Sequence, residues 1–148
     1  MAEKPVFFYP ENPNDNQKIF RGVSKMKLLI CGSRPITAYN LLLEALKESG
    51  YKPTSLISGG SPGVDKLAER YAEETGLPIT VVRPDYAKYK GKHASIIRNC
   101  EMVLACDAVL ALWNGISRGT RFTFEYGKKK NKPVYIKVVR SHDLKNIK

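Results

Sequence analysis

SLISGGSPGVDKLAERYAEE, residues Ser55–Glu74, decides the fold. A short apolar run, Leu56-Ile57 between two serines, breaks into Gly59-Gly60-Ser61-Pro62-Gly63. Val64, Leu67, Ala68, Tyr71 and Ala72 then recur at helical spacing, Asp65 sits in the first turn, and Gly76 stops the helix. A strand that passes through small residues straight into a helix is one half of a βαβ unit. LLICGSRPIT, residues Leu28–Thr37, repeats the plan: an apolar strand, Gly32-Ser33-Arg34, and a helix predicted over 38–49 that Gly50 ends.

Working outward, strands are predicted at 27–31, 55–58, 79–82, 108–112 and 134–138, and helices at 38–49, 63–75 and 93–105. Residues 119–130 read two ways. Phe122, Phe124 and Tyr126 alternate as in a strand, whereas a place between two apolar strands favours a helix. Strand–helix alternation predicts an α/β, Rossmann-like, three-layer doubly wound fold with a mainly parallel five-stranded sheet. The domain is expected to span 26–139, after an N-terminal extension at 1–25 and before a polar tail at 140–148. Within the extension, Val6-Phe7-Phe8-Tyr9 suits an added edge strand or a clamp on a neighbouring subunit. A partly ordered arm is slightly favoured, because termini fray unless tied down.

The loops after the first, second and fourth strands (32–35, 59–63 and 113–120) fall at the carboxyl edge of such a sheet, where doubly wound folds bind ligands. Gly32 and Ser33 open the first. Ser58, Gly59, Gly60, Ser61 and Gly63 offer hydroxyls and closely approachable backbone ahead of a helix start, an arrangement suited to phosphate or sugar. Arg34 is a forked donor for phosphate or carboxylate, or a surface ion pair. Asp65 suits a ribose hydroxyl or, equally, the helix dipole. Arg98, with Asn99 beside it, lies close to an apolar face and needs an anionic partner: a ligand phosphate, Glu101, Asp107 or Glu125. Trp113 suits a base or the core. Ser117, Arg118, Gly119 and Thr120 put hydroxyls and a cation at another helix start.

The 148 residues carry a net charge of +11, which attracts phosphate ligands, nucleic acid or acidic partners. Lysine clusters at 88–92 and 128–132 also fit plain solvated faces. Cys31, Cys100 and Cys106 are odd in number and stand in apolar settings, against a disulfide framework. His93 and His142 have no ligand spacing, so neither a metal nor a cofactor is expected. A nucleophilic pair would need His93 and Cys100 to meet in the fold. With no apolar run of spanning length and no signal-peptide pattern, the chain is expected to be cytoplasmic, away from membranes.

GSR after the first strand, SGGSPGVDKLAERYA after the second, IIRNCEMVLACDAVLALW and SRGT together resemble the SLOG superfamily (Smf/DprA and LOG), closest to the small stand-alone bacterial and phage SLOG proteins related to YspA. The resemblance covers about residues 26–138. It implies a Rossmann-like fold, a pocket for nucleotides or their derivatives, and homo-oligomers paired through helices flanking the site. LOG enzymes cleave the N-glycosidic bond of nucleoside monophosphates with an Arg and a Pro-Gly-Gly-x-Gly-Thr-x-x-Glu loop. Arg98 matches the Arg, and Gly119-Thr120 matches the Gly-Thr. Trp113-Asn114-Gly115 and Ser117-Arg118 replace the Pro-Gly-Gly stretch. Thr123 stands at the Glu position, and Glu125 is two residues on, about 200° around an ideal helix.

Three functions follow as expectations. The first is binding of a nucleotide or nucleotide-derived signal, with Ser33, Arg34, Gly59, Gly60 and Ser61 on phosphate or ribose, and Arg98, Ser117, Arg118 and Thr120 on a second anionic group. The second is LOG-like phosphoribohydrolysis through Arg98 and Glu125. The third is DprA-like binding of single-stranded nucleic acid, which the charge suits although no aromatic platform is visible.

Overall fold

Leu28, Leu29 and Ile30, and Ala108 through Leu112, are completely buried, the signature of strands covered on both faces. A computed structural model describes residues 6–8 and 25–145 of the chain. Its elements are β1 (Val6–Phe8), β2 (Lys27–Gly32), α1 (Tyr39–Ser49), β3 (Ser55–Ser58), α2 (Val64–Thr75), β4 (Ile79–Val81), α3 (Lys92–Ala105), β5 (Ala108–Trp113), α4 (Arg118–Lys129), β6 (Val134–Val138) and α5 (Ser141–Lys145). They form one sheet in the order β1-β6-β5-β2-β3-β4. The five expected strands are parallel throughout.

The extension adds a sixth strand. Val6–Phe8 pairs antiparallel with β6, Val6 opposite Ile136 and Phe8 opposite Val134. Phe7 tilts against Tyr135 with ring centroids 4.5 Å apart. The edge-strand reading therefore holds for these three residues; Tyr9 and the rest of the extension to residue 24 lie outside the described residues, as do 146–148 of the tail.

Successive strand residues serve opposite layers, as the two-residue period of a strand requires. Leu28, Ile30 and Leu110 pack with Leu42, Ala45, Val64 and Ala68 of α1 and α2. Leu29, Cys31 and Val109 pack with Met102, Val103 and Phe124 of α3 and α4. Residues 118–129 are helical: Thr120, Thr123, Phe124 and Gly127 are buried at helical spacing. The apparent alternation of aromatics resolves into Phe124 facing the core while Phe122 and Tyr126, one turn apart, stack on each other outside it.

From β2 the chain builds outward through β3 and β4, then crosses back to β5 and β6. Strand order thus reverses between β2 and β5, which places the crevice at their carboxyl ends. Among the described residues no helix is long and apolar enough to cross a membrane.

Candidate functional site

At that crevice the three loops converge on a cleft of about 150 Å³. Gly32 and Arg34 reach it from the end of β2 and the loop after it, Ser61 from the β3–α2 loop, Asp65 from the first turn of α2, and Ser117, Gly119 and Thr120 from the start of α4. Arg98 and Asn99 line it from α3. The loops are bolted to one another. Ser33 N–H donates to the Leu112 carbonyl at 3.0 Å, and Asn114 N–H donates to Ser33 Oγ at 3.1 Å. A Cβ on Gly32 would strike Val64 and lie 2.5 Å from the Leu112 carbonyl oxygen, so only glycine lets β2, α2 and β5 meet here.

The electrostatics centre on a buried pair of opposite charges. Arg98 and Asp65 are 8% and 7% exposed. Arg98 Nη1 donates to the Gly59 carbonyl at 2.6 Å and the Val82 carbonyl at 3.3 Å, and its Nε donates to Asn99 Oδ1 at 2.8 Å. Asp65 Oδ2 accepts the Ser61 N–H at 3.1 Å. Burial pushes the Asp65 carboxyl up to about 6, against the pull of the Ser61 N–H and the Arg98 charge. Burial also lowers Arg98, and Arg34 is near enough to lower it further by repulsion. Arg34 is exposed and makes no ion pair among the described residues. The cleft therefore holds two guanidinium groups against one carboxylate, a local excess of positive charge.

The start of α4 adds polarised N–H groups. Asn114 Oδ1 accepts the N–H groups of Ile116 and Ser117, each at 2.9 Å, turning the chain into the helix. Ser117 caps α4 by accepting the Thr120 N–H at 3.3 Å. The Arg118 and Gly119 N–H groups carry no hydrogen bond among the described residues, as helix starts leave them. Together these groups match a small anionic, hydroxylated ligand.

Residues 26–89 match the YspA, cpYpsA-related SLOG family. The match runs from the start of β2 to just before α3 and includes the first two loops of the cleft. The SLOG resemblance is thereby shown for this segment. No curated protein matches the chain.

Several of the expected ligand residues also make contacts within the protein. A Cβ on Gly59 would sit 2.7 Å from Arg98 Nη1 and 2.9 Å from Asp65 Oδ2; one on Gly60 would sit 2.9 Å from Val81 Cγ1. At Gly63, φ is +81° and a Cβ would run into the Arg34 backbone. The Cβ side of each of these glycines is thus filled by protein. Ser33 and Ser58 are fully buried, and Ser58 Oγ bridges the Asp65 carbonyl and the Gly60 N–H. Trp113 sets its edge against Phe124 at 5.2 Å and donates Nε1–H to the Ser117 carbonyl at 2.9 Å, on the core side of the loop.

Glu125 does not join Arg98. Its side chain is 53% exposed and lies 3.6 Å from Lys128 Nζ, outside the cleft lining. Thr123, at the position where the LOG enzymes carry Glu, lines the cleft and donates to the Gly119 carbonyl at 2.9 Å. Arg118 faces the neighbouring recess. His93 and Cys100, seven residues apart on α3, are separated by about 10 Å along the helix axis. Sequence reading missed Ser95 and Met102, which share the cleft-facing side of α3 with Arg98 and Asn99. The signal was present, since positions 95, 98, 99 and 102 follow helical one-face spacing.

Proposed function

We propose that this protein binds a nucleotide or nucleotide-derived small molecule at the carboxyl edge of its sheet, as a sensor, carrier or sequestering module. The phosphate lies between Arg34 and the start of α4, and the ribose faces Asp65 and Arg98. One observation carries this reading: Arg34, exposed at the cleft and beside a second guanidinium, has no carboxylate of its own among the described residues. An anionic ligand would relieve that repulsion. Family membership over 26–89 supports a nucleotide-related ligand at the same sheet edge.

Binding is favoured over bond cleavage because the carboxylate that the LOG resemblance assigns to hydrolysis, Glu125, is engaged with Lys128 away from the cleft. Oxocarbenium-like chemistry wants a free carboxylate poised at the sugar's anomeric carbon, and Asp65, the carboxylate the ribose faces, is tied to the Ser61 N–H and set beside the Arg98 charge. Incubation with AMP is expected to release no ribose 5-phosphate.

Native mass spectrometry of protein taken directly from cells should show a co-purified phosphorylated small molecule. Arg34→Ala should lose it, with affinity falling roughly tenfold to a hundredfold, as expected for a charge-assisted hydrogen bond of about 1.5–3 kcal/mol. Ligand-free wild type, with no rise in melting temperature on adding any nucleoside 5′-monophosphate, would end the proposal.

A further inference from the structure

Beside the cleft, between α3 and α4, lies a recess of about 450 Å³. Ser95, Asn99 and Gly119 line both hollows, so the two adjoin. The recess has a different character. Ile96 and Phe122 form its apolar walls, and Lys92 and Arg118 stand beside them. Ile96 is 43% and Phe122 36% exposed. Large apolar side chains exposed around a concave surface mark a place where something binds.

Size divides the work between the two hollows. The cleft is smaller than small-molecule sites, which run from about 300 to 1,000 Å³, while the recess falls within that range. A phosphorylated sugar suits the cleft, and anything attached to it must extend outward. Gly119 keeps that passage open, because nothing lies within 4 Å of where its Cβ would be. Trp113, the aromatic that the sequence offered to a base, is turned into the core.

We propose that the recess between α3 and α4 receives the base of a 5′-mononucleotide whose phosphate occupies the cleft. This rests on the reading that the cleft takes the phosphate. Phe122 presents a ring to the base, its plane held by stacking on Tyr126 at 5.9 Å and 8°. Ile96 closes the other side. Asn99 Oδ1 already accepts from Arg98 Nε, which leaves its amide N–H groups to meet the base edge. Lys92 and Arg118 supply cations to the π-face and to negative charge beyond the first phosphate. A wholly apolar partner would leave these two cations without a counter-charge, so the mixed lining favours a charged aromatic ligand over an apolar helix.

Isothermal titration with ribose 5-phosphate and with AMP, GMP, CMP and UMP tests this. Wild type should bind AMP and GMP at least tenfold tighter than ribose 5-phosphate. Phe122→Ser should erase that advantage and leave ribose 5-phosphate binding unchanged, whereas Arg34→Ala should weaken both. Ile96→Ser, with the fold of each variant checked by circular dichroism, gives the same readout should Phe122→Ser fail to fold. Equal binding of AMP and ribose 5-phosphate overturns the assignment of the recess and spares that of the cleft. AMP affinity unmoved by both variants does the same, including the case in which either one converts a dimer to monomer and so gives the recess to a second copy of the chain. No binding of any of the five compounds overturns both.

Discussion

The β3–α2 loop and the β5–α4 loop flank one cleft and were built for opposite tasks. The first is the glycine-rich one, and its glycines are spent on internal packing: Gly59 against Arg98 and Asp65, Gly60 against Val81 and Arg83, Gly63 against Arg34. The second has fewer glycines, yet Gly119 faces open space and the neighbouring N–H groups are uncommitted. A glycine-rich loop is thus no direct sign of ligand contact. Here it holds a charged pair in place, while the plainer loop supplies the receptive wall.

That contrast breaks most readily at Arg98. Arg98→Leu strands Asp65 as a buried charge and removes the tie between α3 and the Gly59 carbonyl. A loss of roughly 3–5 kcal/mol is expected in urea unfolding at pH 7.5. Asp65→Asn in the same chain should restore a good part of it. A single variant as stable as wild type would remove the brace from the glycine-rich loop.

The glycines come next. Gly63→Ala forces a Cβ into the Arg34 backbone at positive φ, and should cost about 3–4 kcal/mol. In thermal unfolding that is a drop of about 10 °C or more. Gly119→Ala, in open space within a helix, should leave stability unchanged or raise it by up to about 1 kcal/mol. Its effect belongs in ligand affinity, because the new methyl narrows the passage from cleft to recess. Equal destabilisation by both would erase the distinction between the loops.

Asp65 sharpens the comparison through pH. Its carboxyl is raised in the fold to about 6 from an ordinary 3.8. A raised acid favours the folded state below its unfolded value, and that contribution is lost as pH climbs through the folded value. Between pH 4 and 7 the stability of wild type relative to Asp65→Asn should therefore fall by about 2.4 kcal/mol. A bound anion raises Asp65 further, so sulfate, which does not titrate in this range, should bind more tightly at pH 5 than at pH 7. A flat stability difference across the range would show that the loop does not bury a charge.

Glu125→Gln should do least. It removes a surface pair with Lys128, worth about 0.5 kcal/mol or less, and leaves ligand affinity unchanged. A large loss of binding or activity would bring Glu125 into the cleft and reverse the preference for binding over cleavage.

Much of this was legible in local pattern. The helix in 64–75 announced itself by apolar spacing and Gly76. The strands announced themselves as short buried runs, and the shared edge of the three loops followed from strand–helix alternation alone. Arg98 is legible as a cation in need of an anion, and Arg34 as a forked donor or a surface ion pair, because charge and sequence setting are local properties. The antiparallel pairing of Val6–Phe8 with β6 was left open, since a three-residue strand gains its meaning only from the neighbour it joins. Ser95 and Met102 were passed over because one-face spacing on α3 says which residues travel together, not what they face.

The amino-acid order by itself determined five of the strands and three of the helices to within a residue or two, and which edge of the sheet carries the small-residue loops, but not the state of 119–130 or the pairing of Val6–Phe8. Periodicity and backbone preference act within a few residues, so they are written in the chain. Only the tertiary structure decided that Gly59 and Gly63 make room for Arg98 and Arg34, that Trp113 turns inward, and that Glu125 stays outside while Asp65 lies within. Each of those outcomes depends on which distant atoms occupy a given space, and close packing settles that only when all the elements have come together.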